Sequence, residues 1–557
     1  VGLTFLPGTT RDGFATVIHG KAWRFDGGAA ITRMSSGWPC TPGLVTPENI
    51  SNVRGFLDGA EVPIAVSPLR GKHPDGSFRA IGVQCRGVAS FVQRAFRIEV
   101  WSTPRSGANT LPWIEPTYDV PVGEDATDWP AMTQQTAIAP SDPVYLCATN
   151  VAFQTLQPQS LDVGLAASNF GVGNGSEWDV WVATLPFPAI TVSTYEFIHG
   201  FYTAYLRSGS RAMYERAQKE LVNQLVFKSN YTIGSDQVNT VGGSPFANVY
   251  GPDPTLPPGP PGNSGLYSEQ HSQITMSWAT GYLMTAWKHP WRHICHKLSW
   301  QAGSLLSDLS ATWGIRFNLG IGDFQILQAA YVVEATMQVP SPPSGYGAGR
   351  DPNVMTFAAQ LPNLLTVLRN RVYTAAYAIP ELAGLLGQRQ DATASSDNGQ
   401  VGSHTFSQAM ITSRFLIFYY NNIAPDAAIP AEVRKQADIT IAFATVNGNE
   451  AYWRFESDIN DPFTAGNTDP WWSGFYSEMF GFAYATETDP VKKQTYFEFL
   501  ERAMNRAQYN DFIKNGKALG EYFGAQQSAA FYHAGGQPRS LVGAHPTVIT
   551  EPPIWTS

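Results

Sequence analysis

Charge is scarce in this chain. Only 15% of its 557 residues are Asp, Glu, Lys or Arg, against a usual ~25%. Those charges are not predominantly basic, since net charge is -9 and pI about 5.6, so the chain as a whole offers phosphates no attractive field and nucleic acid is not an expected partner. Cysteine is also sparse. Cys40, Cys85, Cys147 and Cys295 lie far apart with no CxxC pair, which excludes a zinc ribbon and a disulfide scaffold; buried thiols are expected, with a Cys40–Cys85 bridge left open. No apolar run approaches the ~18 residues of a membrane helix, and residues 1–7 lack the charged and apolar regions of a secretion signal.

Aromatics, in contrast, are plentiful: 16 Trp, 23 Tyr and 31 Phe. With so little charge, they exclude intrinsic disorder and require a large core. Forty Pro and 51 Gly are spread along the chain, not gathered in one tract.

The first hundred residues alternate with period two. Val62, Ile64 and Val66 form one such row, Ile81, Val83 and Cys85 a second, and Phe96, Ile98 and Val100 a third. Half-buried strands follow, turned by Asp58-Gly59 and Asp75-Gly76, and an antiparallel β-barrel or sandwich is expected over 1–104. Residues 105–192 read as a β-rich connector or small β-layer, with a strand expected at 178–185.

From about 193 onward the texture is helical. An apolar helix, a short turn and a more charged helix recur at 195–206 with 211–225, 272–287 with 291–306, 404–421 with 431–444, and 471–485 with 491–507. Asp489 before Pro490 has the chemistry of an N-cap followed by proline at the first helical position. Tyr496, Phe499, Leu500, Ala503 and Ala507 form one stripe, with Lys492, Lys493, Glu498, Glu501 and Arg502 expected outside it. The helix from Phe406 to Tyr420 is apolar almost all round and should be buried on most sides. About ten to twelve helices of this kind suggest an α/α toroid over 193–557, with an open solenoid as the competing arrangement. The expected fold is therefore multidomain α+β.

One segment is more specific. Gly37-Trp38-Pro39-Cys40-Thr41-Pro42-Gly43 precedes a strand pair, Phe56-Leu57-Asp58-Gly59-Ala60-Glu61 follows, and the stretch ends in Pro74-Asp75-Gly76-Ser77-Phe78-Arg79. It resembles the N-terminal RIFT-barrel domain of the exo-rhamnogalacturonan lyase-like (YetA-like) family, which has a Gly-x-Pro-x-x-x-Gly element and a W-x-DGS-x-R turn. His73 and Pro74 stand here in place of the family's Trp. The resemblance covers roughly 35–100, and implies a barrel accompanied by an α/α toroid and a role in polysaccharide degradation, with lyases and glycosidase-like members; no cofactor is expected. The family's bulky central β-sandwich has a much shorter counterpart here.

Candidate chemistry gathers at expected helix starts. Tyr267-Ser268-Glu269-Gln270-His271 and Tyr476-Ser477-Glu478 each set a phenol and a carboxylate where N–H groups and the macrodipole favour anions, although helix capping explains the same residues. Lyase β-elimination needs a base for the C5 proton and a cation for the uronate, roles that suit Tyr267, His271, His404 and Arg414. Glycoside hydrolysis needs two carboxylates, for which Glu269 and Glu478 are the pair, with Asp323, Asp458 and Asp461 in reserve. Trp471, Trp472 and Tyr476, beside the polar loop carrying Asp458 and Asp461, combine flat rings with hydroxyl partners in a way that suits a glycan; core packing is the alternative. His289, His293 and His296 lack a nearby carboxylate, so no metal site is expected.

The expectation is a polysaccharide-degrading enzyme acting outside the cell or at a virion or cell surface, a lyase ahead of a hydrolase on resemblance alone. The rivals are a non-catalytic glycan- or receptor-binding protein, as on a phage tail, and a structural virion protein. Expected partners are a polysaccharide and further copies of the chain or a virion assembly.

Overall fold

The computed structural model describes residues 6–25, 31–89, 91–114, 116, 136–158, 197–223, 275–287, 416–423, 425–453 and 473–510, with short pieces at 365–366, 369, 384, 386, 402–403, 412 and 457–458. They define a mixed α+β protein with an N-terminal antiparallel β unit and helices packed on it.

The β unit has two sheets. The larger joins β1 (Thr9–Asp12), β2 (Ala15–Arg24), β8 (Arg94–Trp101), β4 (Val53–Leu57) and β5 (Ala60–Val62) in that order, with β9 (Thr136–Pro140) also on β2. The smaller runs β3 (Ile31–Pro39), β7 (Ala80–Ala89), β6 (Ile64–Pro68). All these ladders are antiparallel. The alternation read from sequence has a physical outcome: Ile81, Val83 and Cys85 of β7 and Phe96 and Ile98 of β8 point into one core with Ile18, Trp38, Val53 and Ile64. The β4–β5 hairpin turns on Asp58 (φ 49°) and Gly59 (φ 88°), the pair of positive φ values that a two-residue primed turn requires.

Cys40, Cys85 and Cys147 are free, buried thiols, which corrects the bridge left open above. Cys85 faces Met34 across the β3–β7 ladder, whereas Cys40 donates its backbone N–H to the carbonyl of Arg79, six residues before Cys85 and just ahead of β7. That is ~20 Å at ~3.3 Å per residue, far beyond a disulfide's reach. Burial pushes the Cys85 and Cys147 thiols up to about 12. Cys295 lies outside the described residues, as does the strand expected at 178–185; within 105–192 the described elements are β9, one turn of 3-10 helix at Gly107–Asn109 and the helix α1 (Pro143–Ala148).

Two helices, α2 (Phe197–Ser208) and α3 (Arg211–Asn223), form the first expected hairpin, with Gly209 at φ +71° between them. A third, α4 (Thr275–Thr285), packs against β3, where a Cβ on Gly37 would run into the backbone of Leu283 and Met284. The same seam is polar: the hydroxyls of Ser36 and Tyr214 both meet the Met284 carbonyl, at 3.0 and 2.9 Å. Further along are β10 (Gly402–Ser403), α5 (Phe418–Asn422), α6 (Ile429–Ala442), a hairpin of β11 (Thr445–Asn447) and β12 (Glu450–Tyr452), and β13 (Ser457–Asp458). The pair α7 (Ser473–Thr486) and α8 (Pro490–Asn510) follows.

Asp489 does cap α8, accepting from the backbone N–H of Val491 at 2.8 Å. The buried face of α8 is broader than the expected stripe. Phe497 packs against Tyr484 at 5.6 Å between centroids, and Glu501, expected at the surface, is 3% exposed. Leu416, Ile417 and Phe418 are buried, while Tyr419 and Tyr420 are half-buried; the rest of the 404–421 prediction is outside the described residues except Thr412 and part of α5. Among the described residues no helix is long and apolar enough to cross a membrane.

Candidate functional site

Of the residues singled out for chemistry, Tyr267, Glu269, His271, His404, Arg414, Trp471, Trp472, Asp461 and Asp323 lie outside the described residues, as do His289, His293 and His296. Three are described in whole or in part. Tyr476 and Glu478 lie on α7, whose sequence, SGFYSEMFGFAYAT, carries Glu478 as its single charge and is buried on every side from Tyr476 to Tyr484. Tyr476 is 1% exposed, and its ring stacks on Trp453 with centroids 4.3 Å apart. The ring is thus a packing element, in contact with an indole and not with solvent. Glu478 is 4% exposed. Asp458 pairs with Gly402, and Ser457 with Ser403, so the β10–β13 ladder brings the chain two residues short of His404 alongside Asp458.

The Asp75–Arg79 turn is fully described, and its chemistry is inward. Asp75 accepts from the backbone N–H and hydroxyl of Ser77, at 2.9 and 2.6 Å, and the Ser77 hydroxyl accepts from Gly43 N–H at 2.9 Å. Gly76 at φ +85° completes the turn. The turn therefore ties the Gly37–Gly43 element to the strand that follows. Opposite it, His73 Nε2 lies 2.9 Å from the Cys40 carbonyl, which makes that nitrogen the donor. Burial, assisted by the Arg79 charge, pushes the His73 imidazole down to about 4, so the ring is neutral at physiological pH.

Arg79 is fully buried. Its guanidinium donates to the Lys72 carbonyl at 3.0 Å, the Asn150 carbonyl at 2.7 Å and Asn422 Oδ1 at 3.2 Å, and lies 4.8 Å from the Phe153 ring centre. Asn422, on α5, also donates to the carbonyls of Phe153 and Phe418, and its Oδ1 accepts from Asn150 Nδ2. Asn150 and Phe153 sit at φ 49° and 61°, a costly region for side-chain-bearing residues that this network holds in place. Burial pushes Arg79 down to about 9, with nearby Asp75 opposing, so it stays cationic. Enclosed in this way, Arg79 fastens the β unit to α5 and is out of reach of a solute.

A second buried polar group joins the helices. His199 Nδ1 meets Thr280 Oγ1 at 3.1 Å and its Nε2 meets Gln154 Oε1 at 3.2 Å, where the amide oxygen makes Nε2 the donor. Sequence reasoning had no signal for either cluster, because His199 and Gln154 lie 45 positions apart and Arg79 and Asn422 lie 343 apart. Among the described residues no group of three His, Cys, Asp or Glu is placed to hold a metal ion.

Compared with protein-family models, curated proteins and solved structures, the chain matches none.

Proposed function

We propose that this chain is a polysaccharide-degrading enzyme in which the β unit braces helical hairpins that close into an α/α toroid, and that it cleaves an acidic extracellular polysaccharide by β-elimination. The observation that carries the reading is the Asp75–Arg79 turn. The residues behind the RIFT-barrel resemblance are those that tie the β unit together and fasten it to a helix 343 positions away, as a barrel that accompanies a toroid requires. The short-turned pairs α2–α3 and α7–α8 supply the hairpins such a toroid is built from. In this reading Tyr267 or His271 removes the C5 proton, and His404 and Arg414 neutralise the uronate while the leaving oxygen departs. Trp471 and Trp472 supply the sugar platform and Asp458 and Asp461 its polar rim, at an extracellular or virion surface.

One observation favours hydrolysis as the second reading. Glu478 is a carboxyl sunk in the apolar helix α7, the drier setting that suits the acid of a carboxylate pair, with Glu269 as its partner. Product analysis on a panel of acidic polysaccharides separates the readings. A lyase generates unsaturated uronides that absorb in the near ultraviolet, and Tyr267→Phe or His271→Ala removes that signal. New reducing ends without the absorbance, lost in Glu478→Gln, would identify a hydrolase. Retention of a polysaccharide with neither product would leave a binding protein and overturn the enzyme assignment.

A further inference from the structure

The chain's charge is unevenly divided. Residues 1–114 hold twelve Lys and Arg against seven Asp and Glu, a net of +5, so the remaining residues carry -14. On the face of the larger sheet turned away from the core, Lys21, Arg54 and Arg97 stand among Glu61 and Glu99, with Arg97 paired to Glu99 at 2.8 Å and Arg54 to Glu61 at 4.0 Å. Cross-strand register puts His19 opposite Arg97, Phe56 opposite Arg97 on the other side, and Arg54 opposite Glu99, all on that face, whereas Ile18, Val53 and Ile98 point inward.

These side chains form one connected layer. Trp101 at the end of β8 stacks nearly parallel (10°) on Phe14 with centroids 6.5 Å apart, and Phe14, at the tip of the β1–β2 hairpin, is 72% exposed. The Arg54 guanidinium lies 4.3 Å from the Trp101 ring centre. The indole N–H of Trp101 donates to Glu99 at 2.8 Å, and the other Glu99 oxygen accepts from Arg97 Nε, also at 2.8 Å. Arg97 in turn covers the Phe56 ring at 4.3 Å. Rings and guanidinia are thus locked in place before any ligand arrives, which lowers the ordering cost of binding. An aromatic ring left this exposed forgoes roughly 2 kcal/mol of burial.

We propose that this face of the β unit, from Phe14 and Trp101 across Arg54 to Arg97 and His19, is a binding ledge for an acidic polysaccharide. The ring pair accepts the apolar C–H face of a sugar. The terminal nitrogens of Arg97, which make no hydrogen bond to a described residue, take the uronate carboxylate in the forked geometry guanidinium favours, and half-exposed Lys21 extends the positive field. Glu61, which accepts from Asn109 at 2.6 Å, and Glu99 interrupt the cations. That spacing suits hydroxyls and separated carboxylates better than a continuous phosphate backbone. The ledge shares only its class of ligand with the proposed function, and lies on the β unit instead of the helices.

The test is affinity electrophoresis of the full chain in gels containing polygalacturonate, its methyl ester, or a double-stranded DNA fragment. The ledge predicts retardation by polygalacturonate, about tenfold weaker by the ester. Phe14→Ser and Arg97→Gln each lose about tenfold in affinity, at unchanged thermal midpoint for the exposed Phe14 site. Absence of retardation, equal retardation by DNA, or full binding by both variants overturns the proposal. Cleavage without ledge-dependent binding overturns the ledge alone; ledge-dependent binding without cleavage overturns the proposed enzyme alone.

Discussion

The Arg79 joint of the β unit and the ion pairs around the α6–α8 helices handle charge in opposite ways. In the β unit Arg79 is sealed in, and its contacts are neutral: two backbone carbonyls, an amide oxygen and an aromatic ring. Among the helices, cations meet carboxylates near water. Lys492 pairs with Asp438 at 2.8 Å with side chains 52% and 44% exposed, Arg434 lies 3.5 Å from Glu487, and Arg369 reaches both Asp426 and Glu432. The first arrangement fixes geometry, because every N–H left without its carbonyl there has no water to turn to. The second contributes little to stability, because solvent screens it. The contrast also explains why the most motif-like stretch of the chain is a joint and not a reaction centre.

Four substitutions or conditions bear on this contrast. Arg79→Met should cost about 3 kcal/mol or more by leaving the Lys72 and Asn150 carbonyls without donors in a closed space, read as a fall in urea midpoint; a loss under 1 kcal/mol would put Arg79 with the surface pairs. Next is acid. His73 has a folded value near 4 against an ordinary 6.5, so the unfolded chain binds the extra proton and stability falls as pH drops from 6.5 towards 4. At pH 5 the loss amounts to roughly 2 kcal/mol, and His73→Gln should flatten the thermal-midpoint profile over that window. Asp489→Ala removes the α8 cap and should cost about 1 kcal/mol. Lys492→Gln should change stability by no more than about 0.5 kcal/mol, with a smaller difference still at high salt.

Much of the β unit was legible because strand alternation reports directly which side chains face the core. Ile81, Val83 and Cys85 did so, and Asp58-Gly59 announced its turn by needing two positive φ values. The Gly209 break and the Asp489 cap were legible for the same reason, being local chemistry. What periodicity does not carry is the identity of a partner. Nothing near Arg79 in sequence indicates Asn422, and nothing in α8 indicates that Glu501 is buried while Lys492 is not. Tyr476 illustrates the same limit within the candidate site. A helix-start tyrosine beside a polar loop suits a sugar or a core equally well until Trp453 is found stacked upon it. The outer ledge escaped for a further reason: its residues belong to three different strands and a hairpin tip, so only cross-strand register assembles them.

The most direct test of the joint between the β unit and the helices is a double-mutant cycle on Arg79→Met and Asn422→Ala, followed by urea denaturation. If the Arg79–Asn422 contact carries the coupling, the two losses are non-additive by about 1 kcal/mol or more. Losses that add within about 0.3 kcal/mol would contradict it, and would leave the β unit and helices as neighbours without a shared fastening.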